Sequence, residues 1–235
     1  LDGLKNSHPI EQEVKNPSEI GQLFDAISYS KGGSVLRMLA DFLGAEKFRE
    51  GLHHYLSTHQ YGNARTKDLW TSLTFTSGQP VSLMMENWVC QPGYPVLQIS
   101  MNRTEKEVAI TAKQSRFTYD HLINPEITQE TVWKIPLNAK SANEQKKFST
   151  LIETSEGTLK VHPTIDWVKF NSDQTGFYRV AYTPEDWKSL RAPIEKRQIT
   201  SLDRLGLQND AYALTSCLLY TSPSPRDGLL ARMPS

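Results

Sequence analysis

The stretch Gln91-Pro92-Gly93-Tyr94-Pro95-Val96-Leu97-Gln98-Ile99-Ser100-Met101 decides the fold. Prolines and a glycine this close together stop any helix that reaches them. Beyond them Leu97, Ile99 and Met101 alternate with polar residues, the two-residue period of a half-buried strand. Before them the period is helical. Val35, Leu36, Leu39, Phe42 and Leu43 form one stripe that ends at Gly44, a C′ stop. A second helix is expected over 45–58, with Phe48, Leu52, Tyr55 and Leu56 at similar spacing. A third is expected to start with Thr66 as N-cap, carrying Leu69, Trp70 and Leu73 inward and Gly78 behind it. A fourth starts at Pro80 and carries Val81, Met84 and Trp88.

Downstream, Val108, Ile110 and Ala112 repeat the alternation. Further strands are expected over 131–137, 148–153, 158–161, 166–171 and 176–182. Many short strands separated by turn residues predict a small β-sandwich. Thr183-Pro184-Glu185-Asp186 then opens a helix with cap, first-turn proline and early acids in the preferred order. Another amphipathic stretch covers about 199–214. From Cys217 the texture changes to prolines and a polar run that predicts no packed element.

The 235 residues carry 26 Lys plus Arg against 26 Asp plus Glu, for zero formal charge. That balance predicts no nucleic-acid partner and no electrostatic attraction to a membrane surface. A hydrophobic share of 38% with 22% charged residues is a globular mix, which excludes a disordered chain. No apolar run approaches the ~18 residues of a membrane span. The start at Leu1 reads as truncated and shows no signal-peptide pattern. Cys90 and Cys217 lie far apart without CxxC spacing, which points to a reducing compartment.

Spacing alone yields no catalytic constellation. A zinc peptidase would show His-Glu-x-x-His on a helix, and the chain has none. His53, His54 and His59 are not three or four residues apart, so no two of them share a helical face; they read as solvated. His8 and His162 precede prolines and read as loop residues. Gly32-Gly33-Ser34 lacks the second glycine of a nucleophile elbow. On its own, Tyr29 reads as an amphipathic residue ahead of a helix and Phe24 as a core aromatic.

The stretch Phe24-Asp25-Ala26-Ile27-Ser28-Tyr29-Ser30-Lys31-Gly32-Gly33-Ser34-Val35-Leu36-Arg37-Met38-Leu39 resembles the M1 family of zinc aminopeptidases (gluzincins). Other stretches match the family in order. Asn6-Ser7-His8-Pro9-Ile10 resembles the segment ahead of the tyrosine helix. Asp68-Leu69-Trp70 and Asn87-Trp88, through Gly93-Tyr94-Pro95-Val96, resemble the end of the catalytic domain. Thr175-Gly176-Phe177-Tyr178-Arg179-Val180-Ala181-Tyr182 resembles the close of its β-sandwich. Asp203-Arg204-Leu205-Gly206-Leu207-Gln208-Asn209-Asp210 resembles the start of its helical C-terminal domain. The resemblance runs to about residue 215 and is nearest in feel to the cytosolic puromycin-sensitive branch.

The resemblance implies a multidomain α+β fragment. Residues 1–93 would be the α-helical end of a thermolysin-like catalytic domain, 94–182 a small β-sandwich, and 183–216 the start of an α-helical domain. Residues 217–235 would be a tail outside the family, either adapter-derived or a disordered terminus. In the family, zinc is held by His-Glu-x-x-His and a more distant glutamate, all upstream of this segment, so zinc is the implied cofactor but its ligands are not in this chain. Peptides are the implied substrates, aminopeptidase hydrolysis the implied activity and the cytoplasm the implied compartment. The fragment by itself is expected to be inactive.

By the same resemblance Tyr29 donates its hydroxyl to the oxyanion formed when water attacks the scissile carbonyl. A phenol is a neutral donor at pH 7, and removing one such donor typically costs about 100- to 1,000-fold in rate. Phe24 would line the pocket for the substrate's first side chain. Lys31 and Gly32 are expected to serve turn and helix-start geometry, with Gly32 allowing close packing or positive φ. Arg179 and the residues around Asp203 would have packing and ion-pair roles. The competing expectation is a non-catalytic scaffold or interaction module derived from the same family.

Overall fold

The computed structural model describes residues 2–4, 7–12, 16–18, 21, 24–119, 131–142, 148–161 and 165–216. The expected tail, 217–235, lies outside the described residues, as do His121 and His162. Four helices come first: α1 (Gly32–Leu43), α2 (Ala45–Thr58), α3 (Thr66–Ser77) and α4 (Val81–Cys90). Among the described residues seven strands follow: β1 (Pro95–Arg103), β2 (Val108–Arg116), β3 (Ile135–Ser141), β4 (Phe148–Ile152), β5 (Glu156–Val161), β6 (Val168–Phe170) and β7 (Arg179–Ala181). Then come α5 (Pro184–Glu195) and α6 (Ser201–Ser216). The chain is therefore mixed α and β, in the order that its periodicities predict.

The helical block assembles on its apolar stripes. α1 buries Val35, Met38 and Leu39, and Gly44, at φ 81°, ends it and opens α2. Gly51 lets α2 and α3 approach: a Cβ there would lie 2.4 Å from Leu73 Cδ2 and 3.2 Å from Leu73 Cα. Arg65, not Thr66, is the cap position of α3, and the cap is made in reverse. The Asp68 carboxylate accepts the Arg65 N–H at 2.7 Å. α5 has the expected box: Thr183 Oγ1 accepts the Asp186 N–H at 3.2 Å, while Asp186 accepts from the Thr183 hydroxyl at 2.8 Å.

The strands form two sheets, ordered β5-β2-β1-β7 and β4-β3-β6. β1 and β2 are an antiparallel pair with Ile99 opposite Ala112, and β7 joins β1 in parallel with Val180 opposite Leu97. Inward residues of both sheets (Ile99, Ile110, Ile135, Leu137, Val168) share one core with Leu39, Leu73 and Met84 of the helices. Trp88, fully buried on α4, joins the blocks: its ring lies 6.2 Å from Trp133 and its Nε1–H donates to the Lys134 carbonyl at 2.8 Å.

Three strands, β3, β6 and β7, start later than the sequence suggests. β3 begins at Ile135, not 131, because side-chain amides take the backbone groups that a ladder would have used. Gln114 Nε2 donates to the Trp133 carbonyl (2.9 Å) and Gln114 Oε1 accepts the Trp133 N–H (2.8 Å). Asn87 does the same for the Val132 carbonyl (2.9 Å) and the Lys134 N–H (2.8 Å). β7 is also shortened, to Arg179–Ala181, and Asn171 Oδ1 accepts the Gly176 N–H at 2.8 Å.

The loop 171–176 joins all three blocks. Asn171, Asp173 and Gln174 have φ of 50°, 59° and 51°, a left-handed conformation that non-glycine residues seldom adopt. From α1, Arg37 donates to the Asp173 carbonyl at 3.1 Å and Asp41 accepts from Thr175 Oγ1 at 3.0 Å. From β3, Lys140 Nζ meets the Asp173 carboxylate at 2.8 Å, and from α6 the Asp203 carboxylate accepts the Asp173 N–H at 2.7 Å. Arg179 and Asp210 form an ion pair at 3.1 Å nearby.

Candidate functional site

Tyr29 occupies a π-helical turn, Ile27–Lys31, that runs without a break into α1. Sequence places Tyr29 ahead of the helix; the fold places it inside a continuous helical path. The wider turn adds a residue to the helical spacing, and such bulges recur at functional sites. Ile27 and Lys31 face inward at 8% and 2% exposure, while Tyr29 between them projects outward at 66%.

Asp25 starts this path. Its Oδ1 accepts the Ser28 N–H at 2.8 Å and its main-chain carbonyl accepts the Tyr29 N–H at 3.2 Å. The side chain thus satisfies one of the orphan donors of the first turn. That Ser28 N–H, followed by His8, holds the Asp25 carboxyl below its ordinary range.

Lys31 anchors the other end. Its Nζ donates to the Gln91 and Gly93 carbonyls at 2.9 and 2.8 Å and lies 3.2 Å from Asp2 Oδ2. Asp2 in turn accepts from the Gly93 N–H at 2.9 Å and from the Ser7 hydroxyl. Burial pulls the Lys31 ammonium below its ordinary range, and the Asp2 charge opposes that. The lysine is therefore a tether from the tyrosine turn to the α4–β1 junction, which is more than helix-start geometry. Gly32 departs from both readings offered for it: its φ is −55°, and nothing lies within 4 Å of where a Cβ would stand.

Phe24 stands beside Tyr29, with ring centroids 6.4 Å apart and planes tilted by 32°. It is 66% exposed, so it is not a core aromatic. Two exposed aromatic rings, one bearing a hydroxyl, thus share one surface next to a turn fixed from beneath. Neither the Asp25 cap nor the Asp2–Lys31 pair follows from motif reading. Asp25-Ala26-Ile27-Ser28 does hold a cap signal, an aspartate three residues ahead of a free N–H.

The described histidines do not assemble. His54 packs on Phe75 at 5.0 Å, His59 on Tyr55 at 5.4 Å, and His8 pairs with Asp25. Among the described residues no three His, Cys, Asp or Glu side chains converge to hold a metal ion. The described side chains therefore do not fit zinc. Cys90 is exposed with a free thiol; Cys217 lies outside the described residues. A cavity of about 260 Å³ is lined by Val96, Ile99, Tyr182 and Pro184, on elements that carry neither Tyr29 nor Phe24. Among the described residues no helix is long and apolar enough to cross a membrane.

Comparison with known proteins gives two matches along the chain. Residues 1–88 match the peptidase family M1 domain, and residues 167–222 match the ERAP1-like C-terminal domain. The second match takes in β6 and β7 as well as α5 and α6. Aminopeptidase M1 of Arabidopsis thaliana is 39% identical over 92% of this chain and 25% of its own length. Puromycin-sensitive aminopeptidase of Caenorhabditis elegans is 39% identical over 91% of the chain and 23% of its own length. Tricorn protease-interacting factor F2 of Thermoplasma acidophilum is 40% identical over 90% and 25% respectively. The chain spans about a quarter of the length of these relatives.

Proposed function

The chain belongs to the M1 peptidase family, and from that premise we propose that it supplies the oxyanion-stabilising tyrosine of a zinc-dependent aminopeptidase acting on peptides. The observation that carries the reading is the presentation of Tyr29. A phenol 66% exposed sits on a π-helical turn whose underside is locked by a buried lysine. A hydroxyl presented at the surface from an anchored turn suits an oxyanion donor, because preorganisation spares the reorganisation that water would need.

In this reading the Tyr29 O–H donates to the carbonyl oxygen of the scissile bond as negative charge develops there. Phe24 borders the space that receives the substrate's first side chain. Asp25, Ser28 and Lys31 hold the turn. Among the described residues no three metal-ligating side chains converge, so no step is routed through the metal, and the isolated chain is expected to be inactive. By its resemblance to the puromycin-sensitive branch we assign the parent protein to the cytoplasm.

The test is Tyr29→Phe in the full-length peptidase that carries this segment. A fall in kcat of about 100-fold or more, with KM nearly unchanged, supports the role. A loss confined to KM assigns Tyr29 to binding and overturns it.

A further inference from the structure

Resting on that role for Tyr29, we infer that His8 is a positioning residue for its hydroxyl, acting through Asp25. His8 Nε2 lies 2.6 Å from Asp25 Oδ2, and the other oxygen of the same carboxylate caps the Ser28 N–H at 2.8 Å, one residue before Tyr29. One carboxylate thus couples a loop histidine to the first turn of the tyrosine helix. Fixing both oxygens removes the rotation that a surface aspartate would otherwise keep, so the cap and the turn above it share the order of His8.

The surroundings of the ring show how its charge matters. Nδ1 sits 2.9 Å from the Pro9 carbonyl and 2.8 Å from the Gln12 side-chain amide. A protonated ring donates from Nδ1 to Pro9 and from Nε2 to Asp25. A neutral ring with its proton on Nε2 keeps Asp25 and accepts from Gln12 instead. Both protonation states have partners, so titration alters the grip without ejecting the ring. The charged form grips harder, since the imidazolium adds a Coulomb attraction to the Asp25 carboxylate beyond the hydrogen bond that the neutral ring already makes. The ionisable groups that act on His8 are Asp25 and Asp2, both acids, and Asp2 is itself paired with Lys31. The Pro9 carbonyl first, then Asp25, raise the His8 pKa above its ordinary value.

The role is separable from catalysis by two measurements. In the 235-residue chain, nuclear magnetic resonance follows the His8 ring and the Ser28 and Tyr29 amides across pH. The two amides should shift with the midpoint of His8 and lose that transition in His8→Gln; amides indifferent to His8, or unchanged by the substitution, overturn the inference. In the full-length peptidase, His8→Gln should lower kcat about fivefold, with KM steady, and remove one limb of the pH profile. Asp25→Asn keeps a capping oxygen and loses the charge; it should hold kcat closer to wild type than Asp25→Ala while also losing that limb. In a Tyr29→Phe background, His8→Gln should add nothing. A full further fivefold loss there means that His8 acts elsewhere and overturns the inference. If Tyr29→Phe itself is nearly silent while the amides still follow His8, the catalytic reading fails and the coupling stands.

Discussion

Lys31 Nζ and Asp2 Oδ2 lie 3.2 Å apart with side-chain exposures of 1% and 8%, an ion pair buried beneath the turn that presents Tyr29. Removing one member of such a pair leaves an uncompensated buried group. Lys31→Ala should therefore destabilise the chain by about 3 kcal/mol in a urea titration, the low end of the usual range. The low end applies because the Asp2 carboxylate keeps the Gly93 N–H and the Ser7 hydroxyl as partners. Asp2→Asn should cost less, since the Gln91 and Gly93 carbonyls still receive the ammonium.

Tyr29→Phe should leave the stability of the chain within about 0.5 kcal/mol, because the ring is 66% exposed. The same substitution in the full-length peptidase should lower kcat steeply. A matched loss of stability and activity would assign Tyr29 to structure.

Gln114→Ala tests the amide that displaces the start of β3. It removes hydrogen bonds to the Trp133 N–H, the Trp133 carbonyl and the Thr154 carbonyl, at 2.8, 2.9 and 2.6 Å. Groups left buried without partners cost about 1–3 kcal/mol each, so a loss of at least about 2 kcal/mol is expected by chemical denaturation. Gln114→Glu should do nearly as much harm, because a carboxylate cannot donate to the two carbonyls.

Gly51→Ala sets helix propensity against packing. Alanine gains about 1 kcal/mol in a helix interior. The new Cβ would meet Leu73 Cδ2 at 2.4 Å, Thr76 Oγ1 at 2.9 Å and Leu73 Cα at 3.2 Å, and Leu73 is fully buried. Overpacking of this kind costs about 1–3 kcal/mol, so packing wins and the melting temperature should fall.

The His8–Asp25 pair gives stability a sign in pH. The folded pKa of His8 is raised, so the folded chain binds the proton more tightly than the unfolded chain. Its contribution is present in full below the unfolded histidine pKa and is lost as pH rises through the folded value. Wild type should thus lose stability relative to His8→Gln on going from mildly acidic to mildly alkaline solution, measured by urea midpoints at each pH.

The helices were legible because their apolar residues recur at 3.6-residue spacing and their ends carry Gly44, Gly78 and Thr183-Pro184. β1 and β2 were legible from strict alternation. The offset of β3 was not, because it depends on Gln114 and Asn87, amides that come from β2 and α4. At the site, the motif located Tyr29 and Phe24 but not what fixes them. The π-helical turn depends on a lysine reaching the α4–β1 junction, and no local propensity encodes that contact. The cap at Asp25 was locally encoded, and its histidine partner was not.

The loop 171–176 also bears on the order of folding. Its partners are far away along the chain: Arg37 and Asp41 on one side, Asp203 on the other. Left-handed backbone at Asn171, Asp173 and Gln174 costs about 1–3 kcal/mol at each residue. Local hydrogen bonds, such as the Gly176 N–H to Asn171 Oδ1, offset part of that, and the contacts that complete the loop form only once α1, β3 and α6 have met. Substitutions there should speed unfolding and leave the folding rate almost untouched, the kinetic mark of contacts made after the transition state. On that order the loop is a latch that closes last, adding to the hold that Lys31 and the buried face of α1 already give the tyrosine-bearing helix.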